Sequence, residues 1–344
     1  LDPMEAHDRL EKFQGYFLLR KQKWDKYVAG EILFGLPVTQ YPELEKTEKE
    51  IGMLDRLYSL YVEVIKTLDS YSEYLWVSVI ENIEKMISQT NEFNTRCKKL
   101  PKALKEWQAY SDCKKKVDDF TGLLPILELL TGKSIRLRHW QELMSVTGTN
   151  FSLAEDVLKV ANLFNDDVLG HIDEIEEIAS AASKEEQIEI KLSQISEEWS
   201  DMQFSFAEYK KRGPVILQSS DLGVIIEKLE DSQMALASMA TNRYSLPFKE
   251  EVQSWISKLS TVSEIVEQWT TVQNMWQYME AVFSGGDIAR QLPQETKRFN
   301  NIDSTFMKIV KSAAETPNIM QTCCGNELLK NLLPHLLDQL ERCQ

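Results

Sequence analysis

The sequence predicts an almost entirely α-helical protein, and three observations predict it. Glycine and proline, the residues that interrupt helices, are scarce, with 13 glycines and 10 prolines in 344 residues. Long stretches place apolar residues three and four positions apart, which is the period of one helix face. The one convincing strand pattern is DMQFSFAEY, Asp201 to Tyr209, which precedes a turn and a return strand from Pro214 to Leu217. The chain is therefore predicted to be all-α with one small β-hairpin at about 201–218.

The N-terminal third predicts long helices separated by short breaks. A first helix is expected from Met4 to Tyr27, stopping at Gly30. Helical periodicity then runs from Glu43 to Cys97, with a break near Asp69. Pro101 is expected in the first turn of a further helix that continues to Val117, because proline is tolerated there.

A change of pattern follows between Phe120 and Phe151, where glycines and a proline predict that short helices replace long ones. We place a subdomain boundary in this region. The predicted organisation is an N-terminal helical subdomain at 1–119, a middle helical subdomain at 120–200, and a hairpin plus long-helix subdomain at 201–344. The chain begins without methionine and ends within a helical pattern at Gln344, so we expect a piece of a longer protein whose last subdomain is incomplete.

The helices next to the hairpin are predicted from periodicity and end signals. Residues Ile172 to Trp199 form an amphipathic pattern with an acidic outer face. After the hairpin, Ser219, Ser220 or Asp221 is expected to cap a helix that runs to Thr241.

The longest helix is predicted between Phe248 and Ser284, where no glycine or proline occurs. A seven-residue spacing returns to nearly the same helix face and defines one apolar stripe: Trp255, Val262, Trp269, Trp276 and Phe283. The stripe is too wide and aromatic for a single coiled-coil seam, so it indicates a core helix, about 50 Å long, that other helices cover.

Glycines and prolines punctuate the C-terminal part. Gly285 and Gly286 are expected to end the long helix because they permit left-handed backbone angles. Pro293 is expected to start another helix, which Pro317 breaks. A final helix from Glu327 to Cys343 contains Pro334 as a predicted kink.

Composition excludes several classes of protein. The 39 basic and 54 acidic residues give a net charge of −15, which argues against unaided binding to nucleic acid. No stretch approaches the roughly 18 apolar residues that a membrane span requires, and no signal peptide opens the chain. The five cysteines lack CxxC spacing, which is typical of reduced cytosolic thiols.

The candidate chemical motifs fail on spacing. Thr131-Gly132-Lys133-Ser134 ends like a phosphate-binding loop, but Leu127 occupies the position of the required first glycine. We interpret Gly132 as a helix C-terminus. The four histidines lie far apart and form no ligand pair. We therefore assign no catalytic, cofactor-binding or metal-binding residue.

Two other clusters receive structural interpretations. Asp166, Asp167, His171 and Asp173 could hold a hard metal ion, but the glycine and distal glutamate of an EF-hand are missing. Acids at a helix start, favoured by the helix dipole, explain them better. The neighbouring Cys323 and Cys324 are interpreted as ordinary buried thiols.

Several long motifs in fixed order identify a family. They are LRHWQEL (Leu137 to Leu143), the acidic helix at 172–199, IIEKLEDSQMALASMATNRYSLPFKEEVQSW (Ile225 to Trp255) and EQWTTVQNMWQYMEAVFSGGDIARQLPQETKRFNNID (Glu267 to Asp303). Over nearly its whole length the chain resembles the linker, the N-terminal region 2, of dynein heavy chains. GEILFGLPVTQYPELEKTEKEI and SGGDIA resemble the axonemal outer-arm group. Met279 and Phe306 depart from the leucine and tryptophan expected there, while conserving volume and apolarity.

The resemblance implies a mechanical role. The dynein linker is an elongated arch of packed helical bundles that lies across a ring of ATPase modules in the same heavy chain. Its bending and straightening would produce minus-end-directed force on microtubules for ciliary or flagellar beating. ATP and magnesium would be bound by the ring modules, so this piece would not be catalytic by itself. The piece would lie in the axoneme, a part of the cytoskeleton, and its parent would assemble with other dynein chains. It would bind neither nucleic acid nor membrane.

Two hypotheses concern particular residues of such a linker. The bend would use positions that combine backbone freedom with adjacent rigid helices, Pro214, Gly285 and Gly286. Apolar residues of the hairpin would touch ring modules in one nucleotide state: Phe204, Phe206, Val215 and Ile216. The alternatives are a free-standing helical adaptor that binds a partner helix along the aromatic groove, and an enzyme built on the loop at 131–134.

Overall fold

The computed structural model describes residues 2–153, 157–164, 166–284, 286–325 and 327–343. Of the side chains of residues 166, 167, 287–289 and 328 nothing is described. Within these ranges the protein consists of packed helices and one two-stranded sheet, which confirms the all-α prediction. The chain forms two compact units, Leu1–Ser183 and Lys184–Gln344. The three-part division stays a prediction.

The first unit contains long helices followed by short ones. Their bounds are α1 Pro3–Leu33, α2 Pro42–Ser72, α3 Trp76–Lys99, α4 Lys102–Lys105, α5 Gln108–Leu130, α6 Leu137–Thr147, α7 Val160–Leu163, α8 Asp166–Leu169 and the start of α9, Ile172–Asp201. The core gathers one face of α2, α3 and α5. Tyr71 stacks on Phe120 with ring centroids 5.9 Å apart, and Trp76 meets Trp140 edge to face at 5.0 Å. The motif at 137–143 thus serves this core through Trp140.

Three boundaries in the first unit differ from the prediction. α1 continues through Gly30 to Leu33, and α5 continues through Gly122 and Pro125, where short helices were expected. The residues next to Pro125 are buried, so packing offsets the roughly 3 kcal/mol that an interior proline costs. Pro101 is the N-cap of a separate short helix, and the extended backbone at Trp107 divides it from α5.

The second unit carries the hairpin and the long helix. Its elements are the remainder of α9, β1 Phe206–Glu208, β2 Pro214–Leu217, α10 Ser219–Ala240, a 3-10 helix Arg243–Phe248, α11 Lys249–Phe283, α12 Gly286–Gln291, α13 Pro293–Glu315, α14 Ile319–Cys324 and α15 Glu327–Cys343. The predicted helix boundaries at Pro293 and Pro317 are confirmed, and Pro334 lies inside α15.

The long helix α11 confirms the stripe that the sequence predicts. Its stripe residues are buried: Trp255, Val262, Trp269, Trp276 and Phe283. They pack in one core with residues of α9, α10, α13, α14 and α15. Burial of large aromatic side chains along the whole helix makes α11 the element on which the second unit is built.

The start of α10 differs from the predicted cap. The N-cap is Gln218, whose side chain makes no capping hydrogen bond. The carboxylate of Asp221 instead accepts hydrogen bonds from the hydroxyls of Ser205 and Ser220. Asp221 therefore ties the segment before β1 to the first turn of α10.

Candidate functional site

The hairpin that sequence analysis singled out is a short antiparallel pair. Phe206 pairs with Leu217 and Ala207 with Ile216, and an irregularity follows at Glu208. The turn is tight because two residues adopt left-handed angles, Lys210 with φ 53° and Gly213 with φ 83°. This pair is too small to be stable alone, so its position depends on what holds it.

Apolar contacts hold one face of the hairpin in the core of the second unit. Phe204 and Val215 are buried, whereas Phe206 and Ile216 are half-buried and pack against the same core. The rings of Phe204 and Phe206 lie 5.5 and 6.1 Å from that of Trp269. Contact between these four residues and a ring of ATPase modules stays a prediction, and Phe206 and Ile216 are the two that are partly exposed.

Polar contacts tie the turn of the hairpin to α11. The carboxylate of Glu280 has only 5% of its side-chain surface exposed and contacts Lys210 and Arg212, the latter at 3.4 Å from Nε to Oε1. The Tyr209 hydroxyl donates to Glu280 Oε2 at 3.2 Å. The buried amide oxygen of Gln273 accepts from the backbone N–H of Leu217 at 2.7 Å.

Arg212 extends these contacts to α13. Its Nη1 lies 2.7 Å from Asp303 Oδ1, and the indole N–H of Trp276 donates to the same oxygen at 3.0 Å. The guanidinium also lies 5.4 Å from the centre of the Trp276 ring. We call the contacts of Tyr209, Lys210, Arg212 and Leu217 with Gln273, Trp276, Glu280 and Asp303 the hairpin clamp.

The electrostatics of the clamp favour its charged form. Burial alone would raise the pKa of Glu280, but the hydrogen bond and charge of Lys210, the hydroxyl of Tyr209 and the charge of Arg212 outweigh it and hold that pKa below its usual range. In turn, the hydrogen bond that Lys210 donates to Glu280 raises the pKa of Lys210. The clamp is thus a hydrogen-bonded ion network with one nearly buried member.

The lowered pKa of Glu280 predicts a dependence of stability on acid. A carboxylate whose folded pKa lies below its ordinary value of 4.5 stabilises the fold above that value and loses this contribution as pH falls through the folded pKa. Wild-type chain and Glu280→Gln should therefore differ in free energy of unfolding at pH 7, and the difference should shrink as the pH falls below 4.5 through the folded pKa of Glu280. Urea denaturation across this range measures the difference. A gap that stays constant with pH would contradict this role of Glu280.

The sequence analysis did not predict the residues of the clamp, although one feature of the sequence pointed to two of them. Gln273 and Glu280 are polar residues seven positions apart on a helix whose corresponding side is buried. A polar pair in a buried register must find partners, because an unpaired buried polar group is costly. The identity of those partners, far away in sequence, had no local signal.

The predicted hinge positions are placed as follows. Pro214 is exposed and begins β2, directly after the left-handed Gly213. Gly286 is exposed and begins α12. Among the described residues, no heavy atom lies within 4 Å of the position that a Cβ at Gly286 would occupy. Gly285 lies outside the described residues, and the hinge role of all three stays a prediction.

The candidate chemical motifs keep structural interpretations. Helix α5 ends at Leu130 and Thr131 is its C-cap, which agrees with a helix terminus at the loop of 131–134. Cys323 is buried, but Cys324 is exposed, so the expectation of two buried thiols holds for the first only. In the described part of the chain, no three histidine, cysteine, aspartate or glutamate residues are grouped to hold a metal ion. The side chains of Asp166 and Asp167 lie outside that part. Among described residues, no helix has the length and apolarity to span a bilayer.

Comparison with known proteins gives a consistent set of matches. The family model described as "Dynein heavy chain, N-terminal region 2" matches residues 44–344. Over 344 residues the chain is 60% identical to the dynein gamma chain, flagellar outer arm, of Chlamydomonas reinhardtii and 47% identical to human dynein axonemal heavy chain 8. It is 34% identical over 342 residues, 98% of the chain, to the dynein-1-alpha heavy chain, flagellar inner arm I1 complex, of Chlamydomonas reinhardtii. The chain spans 8%, 8% and 7% of the lengths of these three proteins.

Proposed function

The chain belongs to the dynein heavy chain family, and from this premise we propose that it is the mechanical linker of an axonemal heavy chain. In this role it bends and straightens across the ATPase ring of the same heavy chain. The movement produces minus-end-directed force on microtubules and drives ciliary or flagellar beating.

The observation that carries the proposal is that packing and polar contacts hold α11 along its length. This helix has 35 residues, about 50 Å at 1.5 Å per residue, and its apolar stripe is buried along the whole length. The hairpin clamp adds polar ties from the chain before α10 to α11 and α13. A body in which apolar packing and ion pairs join distant segments resists deformation, as an element that transmits force must.

The chemistry of such a motor lies elsewhere in this proposal. ATP and magnesium are bound by ring modules of the parent heavy chain, and the linker itself is not an enzyme. The support is the sequence at 131–134, which lacks the first glycine of a phosphate-binding loop.

The surroundings of the linker follow from its relatives. One of them is named as a dynein gamma chain of the flagellar outer arm, and another as a dynein heavy chain of the flagellar inner arm I1 complex. We place this chain in the cytoskeleton of a cilium or flagellum, in an arm that contains other dynein chains. The identity of 60% with an outer-arm chain favours the outer arm.

In this proposal the linker bends only at connections between elements that are packed firmly in place. The proposal favours Gly286 as a joint, because it is exposed and no heavy atom of the described residues lies within 4 Å of where its Cβ would be. Pro214 follows a turn that the hairpin clamp holds on both sides, so movement there requires the clamp to open. The proposal also includes Gly285 as a hinge residue and the hairpin as a contact of the ATPase ring. These two parts have no structural support of their own.

The experiment measures distance changes in the full-length heavy chain. A donor fluorophore replaces exposed Lys297 on α13, and an acceptor is placed on the first ATPase module. Energy transfer should change between the ATP-bound and nucleotide-free motor. As a control, an acceptor at exposed Lys311 on α13 should show constant transfer, because both labelled positions then lie on the same helix. Constant transfer to the ring in every nucleotide state would overturn the proposal.

The adaptor alternative has less support. It requires an open aromatic groove, but the stripe residues of α11 are buried by other elements of the second unit. A reading frame that encodes several Walker-type modules downstream of Gln344 would decide against it.

A further inference from the structure

A small cavity lies where α10, the 3-10 helix and α11 meet. It has a volume of about 260 Å³. Two cations line it, Arg243 and Lys249, together with the apolar side chains of Leu246 and Val252. We call this cavity the cationic pocket. Its charge contrasts with the net charge of −15 of the whole chain.

The wall of the cationic pocket contains a polar group without a partner. Ser245 is 5% exposed, and among the described residues nothing accepts from or donates to its hydroxyl. A buried hydroxyl without a hydrogen bond is costly, and replacing it by an apolar group would be nearly neutral. A ligand oxygen that enters the pocket would give this hydroxyl an acceptor.

A groove of larger volume adjoins the cationic pocket. Its volume is about 460 Å³, it lies between α9 and α10, and it shares Asn242 with the pocket. Lys184 and Lys191 line the groove, and among its described lining residues only Asp231 is acidic.

Two cations contact the hydroxyl of Tyr244, next to Asn242, where the pocket and the groove meet. Lys184 Nζ lies 3.1 Å from its hydroxyl, which Arg243 also contacts. Hydrogen bonds from these two cations lower the pKa of the phenol. Four cations therefore surround one connected surface: Lys184, Lys191, Arg243 and Lys249.

We propose that this surface is a docking site for an acidic peptide segment, with one carboxylate in the cationic pocket beside Ser245 and Lys249. A peptide fits better than a free anion because the pocket and groove, with volumes of about 260 and 460 Å³, hold more than one anion would fill. The surface also offers apolar contacts, since Leu246 and Met234 are 75% and 72% exposed. An acidic segment with interspersed apolar residues matches both properties. This inference does not depend on the linker function.

The test uses the 344-residue chain and a fluorescent hexapeptide of sequence ELEELE, with QLQQLQ as the uncharged probe. Fluorescence anisotropy should show binding of the acidic peptide alone. Lys249→Glu should weaken binding by about tenfold or more. Lys297→Glu, an equal change of charge at an exposed site on α13, should leave affinity unchanged apart from a small general effect.

A second variant separates binding from folding. Ser245→Val should weaken binding by about fivefold to tenfold without lowering the melting temperature, because the hydroxyl has no partner among the described residues. Equal loss in Lys249→Glu and Lys297→Glu would overturn the proposal, as would absence of binding. A competition with inorganic phosphate at constant ionic strength tests for a small-anion site. Displacement of the peptide by phosphate would also overturn the proposal.

Discussion

Replacing Trp276 with alanine should lower the free energy of unfolding of the second unit by about 3–5 kcal/mol, the largest effect that we expect from a single substitution. Trp276 is fully buried on α11 and stacks on Phe306 with ring centroids 4.6 Å apart. Its indole N–H donates to Asp303, and Arg212 lies over its ring. The substitution therefore removes apolar packing and one support of the hairpin clamp together.

The measurement should report on the second unit rather than on the whole chain. Hydrogen exchange of amides in α11 gives the opening free energy of this segment. Tyr278→Ala is a matched control on the same helix, because Tyr278 is 64% exposed. It should change protection by no more than about 0.5 kcal/mol. Equal losses in the two variants would show that the Trp276 contacts do not stabilise α11.

The contrast between these two aromatic residues shows what local sequence can predict. The seven-residue spacing assigns Trp276 to the buried stripe, and Tyr278, two positions later, falls off that stripe. Such periodicity arises from helix geometry, so it predicted α11, the α9 helix and the hairpin. The break near Asp69 and the boundaries at Pro293 and Pro317 follow equally local rules.

Failures of the sequence prediction occur where distant contacts outweigh local preference. Gly30 and Pro125 are helix breakers by propensity, yet α1 and α5 continue through them. At Pro125 the cost is offset by burial of its neighbours, which no local pattern reveals. Asp221 was expected to cap α10, but Ser205 provides a hydrogen bond 16 positions away.

The candidate site could be predicted only in part. The hairpin and its apolar residues were visible as an alternating pattern, but the clamp that fixes it was not. Lys210 and Glu280 are 70 positions apart, and Arg212 and Asp303 are 91 apart. A single sequence carries no signal for such a pairing until the fold brings the side chains together. The clamp therefore became apparent only in the structure. Substitutions of its residues test how rigidly the hairpin is held.

Replacing Arg212 with methionine should lower the free energy of unfolding of the second unit by about 1–3 kcal/mol. Methionine keeps much of the side-chain volume but removes contacts to Glu280, Asp303 and the Trp276 ring. Glu280, nearly buried, then retains Lys210 and Tyr209 as partners. The expected loss of free energy lies below the range for fully buried ion pairs, because 31% of the Arg212 side chain is exposed.

The neighbouring residue supplies the control for this prediction. Lys211→Met changes the charge equally in the same turn, but Lys211 is exposed, so its effect should stay within about 0.5 kcal/mol. A cycle that combines Arg212→Met with Asp303→Asn should give a coupling energy of about 0.5–3 kcal/mol. Since the clamp joins the hairpin to α11 and α13, Arg212→Met should also raise amide exchange at Leu217, whose N–H donates to Gln273. Additive effects with unchanged exchange at Leu217 would mean that apolar packing alone holds the hairpin in place.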